Sequence, residues 1–202
     1  MSDKPVALLI RHGKTEATDK VFVSRSDFPL DAEGERELHD AINFLKDYDI
    51  KLIYSSPLIR SLTGAEMLSE SLDLDVYQDR GLLPWDRGIF TGVPEEEGQD
   101  ALNLFVTNPD VKMPFGESRV QAEERIDEFF GTLLPRSERK LTAFFTHHSV
   151  IDILAYKLAG GKRPTTIKNI VECGGVAGVF VKGDDYELRA LFKPSPGDEA
   201  IS

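Results

Sequence analysis

Short apolar runs that stop abruptly at polar, chemically capable residues set the pattern of this chain. Residues 5–10 are small or apolar, with β-branched Val6 and Ile10, long enough for a fully buried strand and far too short for a membrane span. The run ends in Arg11-His12-Gly13-Lys14-Thr15-Glu16. A second run, residues 141–146, ends in His147-His148-Ser149 and passes into a helix-like segment over 150–159. A third begins Leu52-Ile53-Tyr54 and stops at Ser55-Ser56-Pro57, ahead of a helical stretch that carries Arg60. Ligands of open α/β sheets bind beyond the carboxyl ends of the strands. Three such runs lying side by side in parallel would therefore bring two arginines and two histidines to one pocket. Gly13 is expected to let the backbone turn tightly and approach a ligand.

The other segments supply what such a sheet needs. Residues 31–47 place Leu38, Ala41, Ile42 and Leu45 at helical spacing, with Asp31 as the N-cap and the remaining charges, His39 among them, facing solvent. A helix is expected over 57–72, with Pro57 in its first turn, and a short strand over 75–78. Another helix is expected over 94–108, where Glu95-Glu96-Glu97 suits the positive end of the helix dipole. Residues 108–116, rich in Pro and Gly, predict a loop over the site. A helix over 118–134 has an inner face of Val120, Ala122, Ile126, Phe129, Phe130 and Leu133. Closing strands over 176–181 and 187–192 are joined by a turn at Gly183-Asp184-Asp185, and residues 194–202 form a frayed tail. No internal repeat is visible. The pattern predicts one α/β domain over all 202 residues, a three-layer sandwich with a mostly parallel central sheet flanked by helices.

Composition narrows the function. No apolar stretch reaches the roughly 20 residues of a membrane span, and Met1-Ser2-Asp3-Lys4-Pro5 lacks the basic start and apolar core of a signal peptide. A cytoplasmic protein is expected. The formal net charge of -11 disfavours nucleic acid and anionic membranes as partners. A small phosphorylated substrate would have to be captured by a local positive pocket. Cys173 is the only cysteine, which leaves no intramolecular disulfide and no cysteine metal cluster. The histidines lack His-x-x-x-His spacing, and arginines beside them would repel a cation, so neither a metal nor another cofactor is expected. No phosphate-cradling Gly-x-x-x-x-Gly-Lys-Ser/Thr loop is present.

Five elements then fall into a known order. They are Arg11-His12-Gly13, Leu30 with Gly34, Ser55-Ser56-Pro57 followed by Arg60, Gly116-Glu117-Ser118, and Thr146-His147 followed by Val150-Ile151. On these residues the chain resembles the histidine phosphatase superfamily, the phosphoglycerate mutase-like group that also contains small phosphomonoesterases. The resemblance covers most of the chain. It implies phosphoryl transfer in two steps without a metal: attack by His12, phosphoryl oxygens held by Arg11 and Arg60, a further hydrogen bond from His147, and hydrolysis of the phosphohistidine by water.

The same resemblance exposes departures. The family's general-acid glutamate stands four residues before the first glycine of this segment, and here that position is Pro84. Asp86 is the nearest replacement, either as leaving-group acid or as a turn residue bonded to backbone amides. Thr18 stands where an asparagine is usual for phosphate contact. Arg25 either adds charge at the rim or pairs with Asp27 on the surface. Trp85 is expected to pack or line the wall, and Glu117 to orient the groups that touch substrate. His148 stands where relatives often have glycine, as a pocket contact or a packing difference. Two alternatives to a phosphatase remain at this point, a mutase-type phosphotransferase and a catalytically weak phosphate-binding regulatory domain. The substrate is expected to be chosen by residues 85–116, and the oligomeric state is left open.

Overall fold

The structure, a computed structural model, describes residues 4–137, 140–161 and 171–195. Its strands are β1 (Ala7–Arg11), β2 (Leu52–Ser55), β3 (Val76–Gln78), β4 (Thr142–Thr146), β5 (Val176–Lys182) and β6 (Asp185–Phe192). Its helices are α1 (Ala32–Leu45), α2 (Ile59–Leu72), α3 (Glu95–Thr107), α4 (Arg119–Ser137) and α5 (His148–Leu158), with 3₁₀ turns at Arg80–Leu82 and Gly88–Phe90. The six strands form one mixed sheet in the order β3-β2-β4-β1-β5-β6, flanked by the helices.

β1, β4, β2 and β3 run parallel, and β5 and β6 close one edge antiparallel. This is the mostly parallel sheet the sequence predicts. Strand alternation divides the apolar residues between two cores. Ala7, Leu9, Phe144, Ala177 and Val179 face α4 and α5, with Ile126, Phe130, Ile153 and Leu154 packed over them. Leu8, Ile10, Ile53, Ala143 and Phe145 face α1 and α2, with Leu38, Ala41, Leu45 and Leu68 packed over them. Each fully buried Leu or Ile contributes about 1.5–3 kcal/mol. Two covered faces require near-continuous apolar strands, and β1 meets that requirement from Ala7 through Ile10, all at 0% exposure.

Element ends refine the sequence reading. Asp31 caps α1 as expected, its carboxylate accepting the Gly34 N–H at 2.8 Å. α2 begins at Ile59 rather than within the turn holding Pro57. Its first amide, Ile59 N–H, donates to Asp27 Oδ1 at 2.7 Å, a partner 32 residues earlier that no local pattern announces. The β5–β6 turn is shorter than expected: Gly183 takes φ +66° and Asp185 already pairs with Lys182. α4 runs past Leu134 and through Pro135. Of the expected frayed tail, residues 196–202 lie outside the described residues. No helix among the described residues is long and apolar enough to cross a membrane.

Candidate active site

The parallel register delivers the site. Arg11 pairs with Thr146 and Ser55 with Phe145, so β1, β4 and β2 end at one level. The next backbone amides extend that alignment: His12 N–H donates to Thr146 O at 3.0 Å and Ser56 N–H to Phe145 O at 3.0 Å. Arg11, His12, Arg60 and His147 consequently line a single cavity of about 790 Å³, within the roughly 300–1,000 Å³ of ligand pockets. Thr18, Trp85 and His148 share its wall.

His12 is buried, and its Nδ1–H donates to Gly13 O at 2.7 Å. That bond leaves the lone pair on Nε2. Burial, then the positive Arg60 and Arg11, hold the imidazole well below its usual pKa, so the ring is neutral at pH 7. The His147 ring lies 5.1 Å from it, centroid to centroid. Burial and then Arg60 also depress His147 well below the ordinary value. His147 Nε2 is 2.8 Å from Ser56 Oγ, which itself accepts from Leu58 N–H. With the Ser56 hydroxyl donating to Nε2, the His147 proton sits on Nδ1.

Arg60 is 1% exposed and splays its two terminal nitrogens onto Ser26 O at 2.6 Å and Ser24 O at 2.8 Å. Burial lowers its pKa to about 10, still high enough to keep the charge. Arg11 Nη1 donates to Val171 O at 3.3 Å. Among the described residues, the buried side-chain nitrogens and oxygens without a hydrogen-bond partner are Arg11 Nε, Arg60 Nε and His147 Nδ1. A buried donor left unpaired costs about 1–3 kcal/mol. Arg11 Nε and Arg60 Nε are donors, and His147 Nδ1 is a third in the tautomer whose Nε2 accepts from Ser56; all three belong to residues that line the one cavity.

Gly13 stands at a close backbone contact. A Cβ on it would overlap the Gly34 carbonyl, and a Cβ on Gly34 would overlap the Lys14 carbonyl. The close approach is to the first turn of α1. Lys14 N–H donates to buried Glu37 Oε2 at 2.8 Å, which ties the same loop to α1.

The loop at 83–88 is pinned from behind. Arg125 donates to Gly81 O, Leu83 O and Pro84 O, and both Arg125 and Arg25 bind the Glu117 carboxylate. Burial works to raise the Glu117 pKa, but these guanidiniums hold it below the carboxylate norm. Glu117 therefore positions the loop through Arg25, Arg125 and the Asp86 N–H. Arg25 stands away from the cavity wall: it binds Glu117 at 2.6 Å, Asp86 at 3.2 Å and Pro84 O at 3.3 Å. Its expected partner Asp27 caps α2 instead.

Asp86 also stands off the wall. Its Oδ1 accepts Gly88 N–H at 3.1 Å and its Oδ2 faces Arg25, the arrangement of a turn residue bonded to a backbone amide. Loop 108–116, expected over the site, contributes no residue to the cavity wall and packs on Gly88 instead.

Several wall residues escaped the sequence reading. Arg87, Arg119 and Asp152 line the cavity, as do Glu95, Gln99 and Asn103 of α3. Spacing at i, i+4 and i+8 puts the α3 trio on one helix face, a polar stripe that could have been noticed beside Leu102. Among the described residues, no three His, Cys, Asp or Glu side chains are grouped to hold a metal ion.

Comparison with known proteins shows the family. Residues 7–191 match the profile of the histidine phosphatase superfamily (branch 1). The chain is 29% identical over 157 residues, 76% of its length and 77% of the relative's, to an uncharacterized phosphatase, PhoE, of Bacillus subtilis strain 168. It is 25% identical over 158 residues, 75% of its length and 74% of the relative's, to a probable phosphoglycerate mutase, GpmB, of Escherichia fergusonii. Its fold is similar to the crystal structure of the α-ribazole phosphatase of Shigella flexneri, with a TM-score of 0.77 at 22% identity, covering 92% of this chain and 95% of that one.

Proposed function

Because this chain belongs to the histidine phosphatase superfamily, we propose that it is a phosphomonoester hydrolase acting on a small phosphorylated substrate through a phosphohistidine on His12. The observation that carries this reading is that Arg11, Arg60 and His147, each with a buried side-chain nitrogen lacking a partner, line one cavity with a neutral His12 whose Nδ1–H is fixed by Gly13 O.

The Nε2 lone pair of His12 attacks phosphorus, and the bond from phosphorus to the ester oxygen breaks. The transferring oxygens take hydrogen bonds from the two guanidiniums and from His147 Nδ1–H, so positive charge meets the charge that develops in the transition state without a metal. Water then attacks phosphorus, the P–N bond breaks back onto Nε2, and phosphate leaves with His12 regenerated. The leaving oxygen needs a proton. With Asp86 committed to Gly88 and Arg25 and the His148 imidazole left without its second proton at neutral pH by burial and Arg11, that proton comes from a water molecule entering the cavity.

The test is p-nitrophenyl phosphate hydrolysis by the wild type and by His12→Ala, with EDTA present throughout, together with rapid-quench trapping of phosphoenzyme. Wild-type turnover in EDTA, with both turnover and phosphoenzyme lost in the variant, is the expected result. Retention of either in His12→Ala overturns the nucleophile assignment. Handing the same phosphoryl group to a second hydroxyl would make the protein a mutase, the reading that the similarity to GpmB supports. Transfer to an added alcohol in preference to water would identify it.

A further inference from the structure

The start of α5 sets four polar side chains on the cavity wall, and three of them are committed to protein partners. His147 Nε2 is 2.8 Å from Ser56 Oγ, Ser149 Oγ accepts Trp85 N–H at 3.0 Å, and Asp152 faces Arg119 at 3.5 Å. His148 differs. It lines the cavity, is partly exposed, and makes no hydrogen bond with any described residue.

The free ring belongs to the reacting end of the cavity. His148 directly follows His147, and the charges acting most strongly on His12 are those of Arg60, Arg11 and His148. Burial, then Arg11, lowers the His148 pKa to about 4. At pH 7 the imidazole is therefore neutral, with one lone pair and one N–H that the protein leaves unclaimed. Its neighbours are unsuited to take a proton from water. Arg11 and Arg60 are cations, the His147 Nε2 lone pair meets the Ser56 hydroxyl, and Thr18 Oγ1 is bonded within the Thr15 turn. The Nε2 lone pair of His12 is the one that phosphorus occupies.

Building on the phosphatase reading, we propose that His148 is the general base of the second half-reaction, taking a proton from the water that hydrolyses the phosphohistidine on His12. The water oxygen bonds to phosphorus as one of its O–H bonds breaks. The proton goes to the free ring nitrogen of His148, and the P–N electron pair returns to His12 Nε2. The imidazolium then releases the proton to solvent, where it neutralises the hydroxide left by the water that protonated the leaving alkoxide. Ester and one water thus become alcohol and phosphate, with both histidines as they began. The base has the strength of a carboxylate, whose ordinary pKa is also about 4, and at pH 7 it is free again for the next cycle.

The experiment forms the phosphoenzyme with p-nitrophenyl phosphate and follows its decay by rapid quench in wild type, His148→Gln and His148→Gly. The p-nitrophenolate leaving group needs no proton, so kcat/KM reports phosphorylation of His12 and decay reports the step assigned to His148. Decay should slow by roughly 10²-fold or more in both variants, with phosphoenzyme accumulating and kcat/KM held within about threefold of wild type. Added imidazole should restore part of the decay rate in His148→Gly, where it can occupy the vacated space, and none in His148→Gln. Decay at the wild-type rate in both variants overturns the proposal. So does a loss of kcat/KM equal to the loss in decay, or slow decay that imidazole leaves unchanged in His148→Gly, because either outcome marks a packing role. Wild type that forms no phosphoenzyme overturns the phosphatase reading itself, and this proposal with it.

Discussion

Asp86 has the chemistry of a proton donor and the geometry of a loop fastener. One carboxylate oxygen accepts Gly88 N–H and the other faces Arg25, so both are spoken for by residues off the cavity wall. This predicts how Asp86→Asn behaves. An asparagine keeps the Oδ1 acceptor and loses only the charge toward Arg25, so kcat/KM falls a fewfold and by the same factor for alkyl phosphates and p-nitrophenyl phosphate. A leaving-group acid would behave otherwise, with a loss of roughly 10² to 10⁴ concentrated on the alkyl esters, whose leaving groups need the proton. That unequal pattern would return Asp86 to the catalytic set. The same contrast separates Arg25 from Arg60. Both are arginines beside a predicted phosphate site, but Arg60 reaches the cavity from the first turn of α2, while Arg25 spends its fork on Glu117 and Asp86.

At the scale of elements, the position of His12 depends on how β1's exit loop seats on α1. Gly13 and Gly34 allow the two backbones to touch, Asp31 N–H donates to Lys14 O at 3.1 Å, and Glu37 accepts Lys14 N–H. Gly34→Ala would place a methyl group into the Lys14 carbonyl, where backbone rather than a flexible side chain must yield. The expected cost is about 1–3 kcal/mol, an overpacking penalty, seen as a melting temperature lower by roughly 2–4 °C per kcal/mol. kcat/KM should fall as well, because the displaced loop carries His12. An unchanged melting temperature with unchanged kinetics would show that the contact does not position His12.

At the scale of the whole molecule, folding buries three histidines beside fixed positive charges, and the pH dependence of stability follows. Burial, then arginine charge, depresses His12 and His147 well below their ordinary value and brings His148 to about 4. Above the unfolded imidazole pKa of about 6.5 both states are neutral and contribute no slope. Below it the unfolded chain binds protons that the folded chain refuses, so stability is lost as pH falls from there toward the folded values. Each histidine adds up to roughly 1.4 kcal/mol per pH unit. Urea midpoints should fall between pH 7 and pH 5, with His148→Gln flattening part of the fall. A midpoint that is constant over that range would contradict neutral buried imidazoles. What the sequence by itself determined was periodic or local: apolar runs that had to be buried strands, helix faces such as Leu38 to Leu45, the Asp31 cap, and histidines and arginines standing at strand ends. A parallel sheet carries such residues to one edge whatever the loops do, which is why Arg11, His12, Arg60 and His147 could be read together. Only the tertiary structure decided which way each loop side chain turned. Arg25, Asp86 and Arg87 lie on neighbouring loops with similar local signals, and their partners are residues up to 92 positions away. Arg87 reaches the cavity because Glu117 and Arg125 hold the loop from the other side, a long-range balance of charge and packing that no local pattern records.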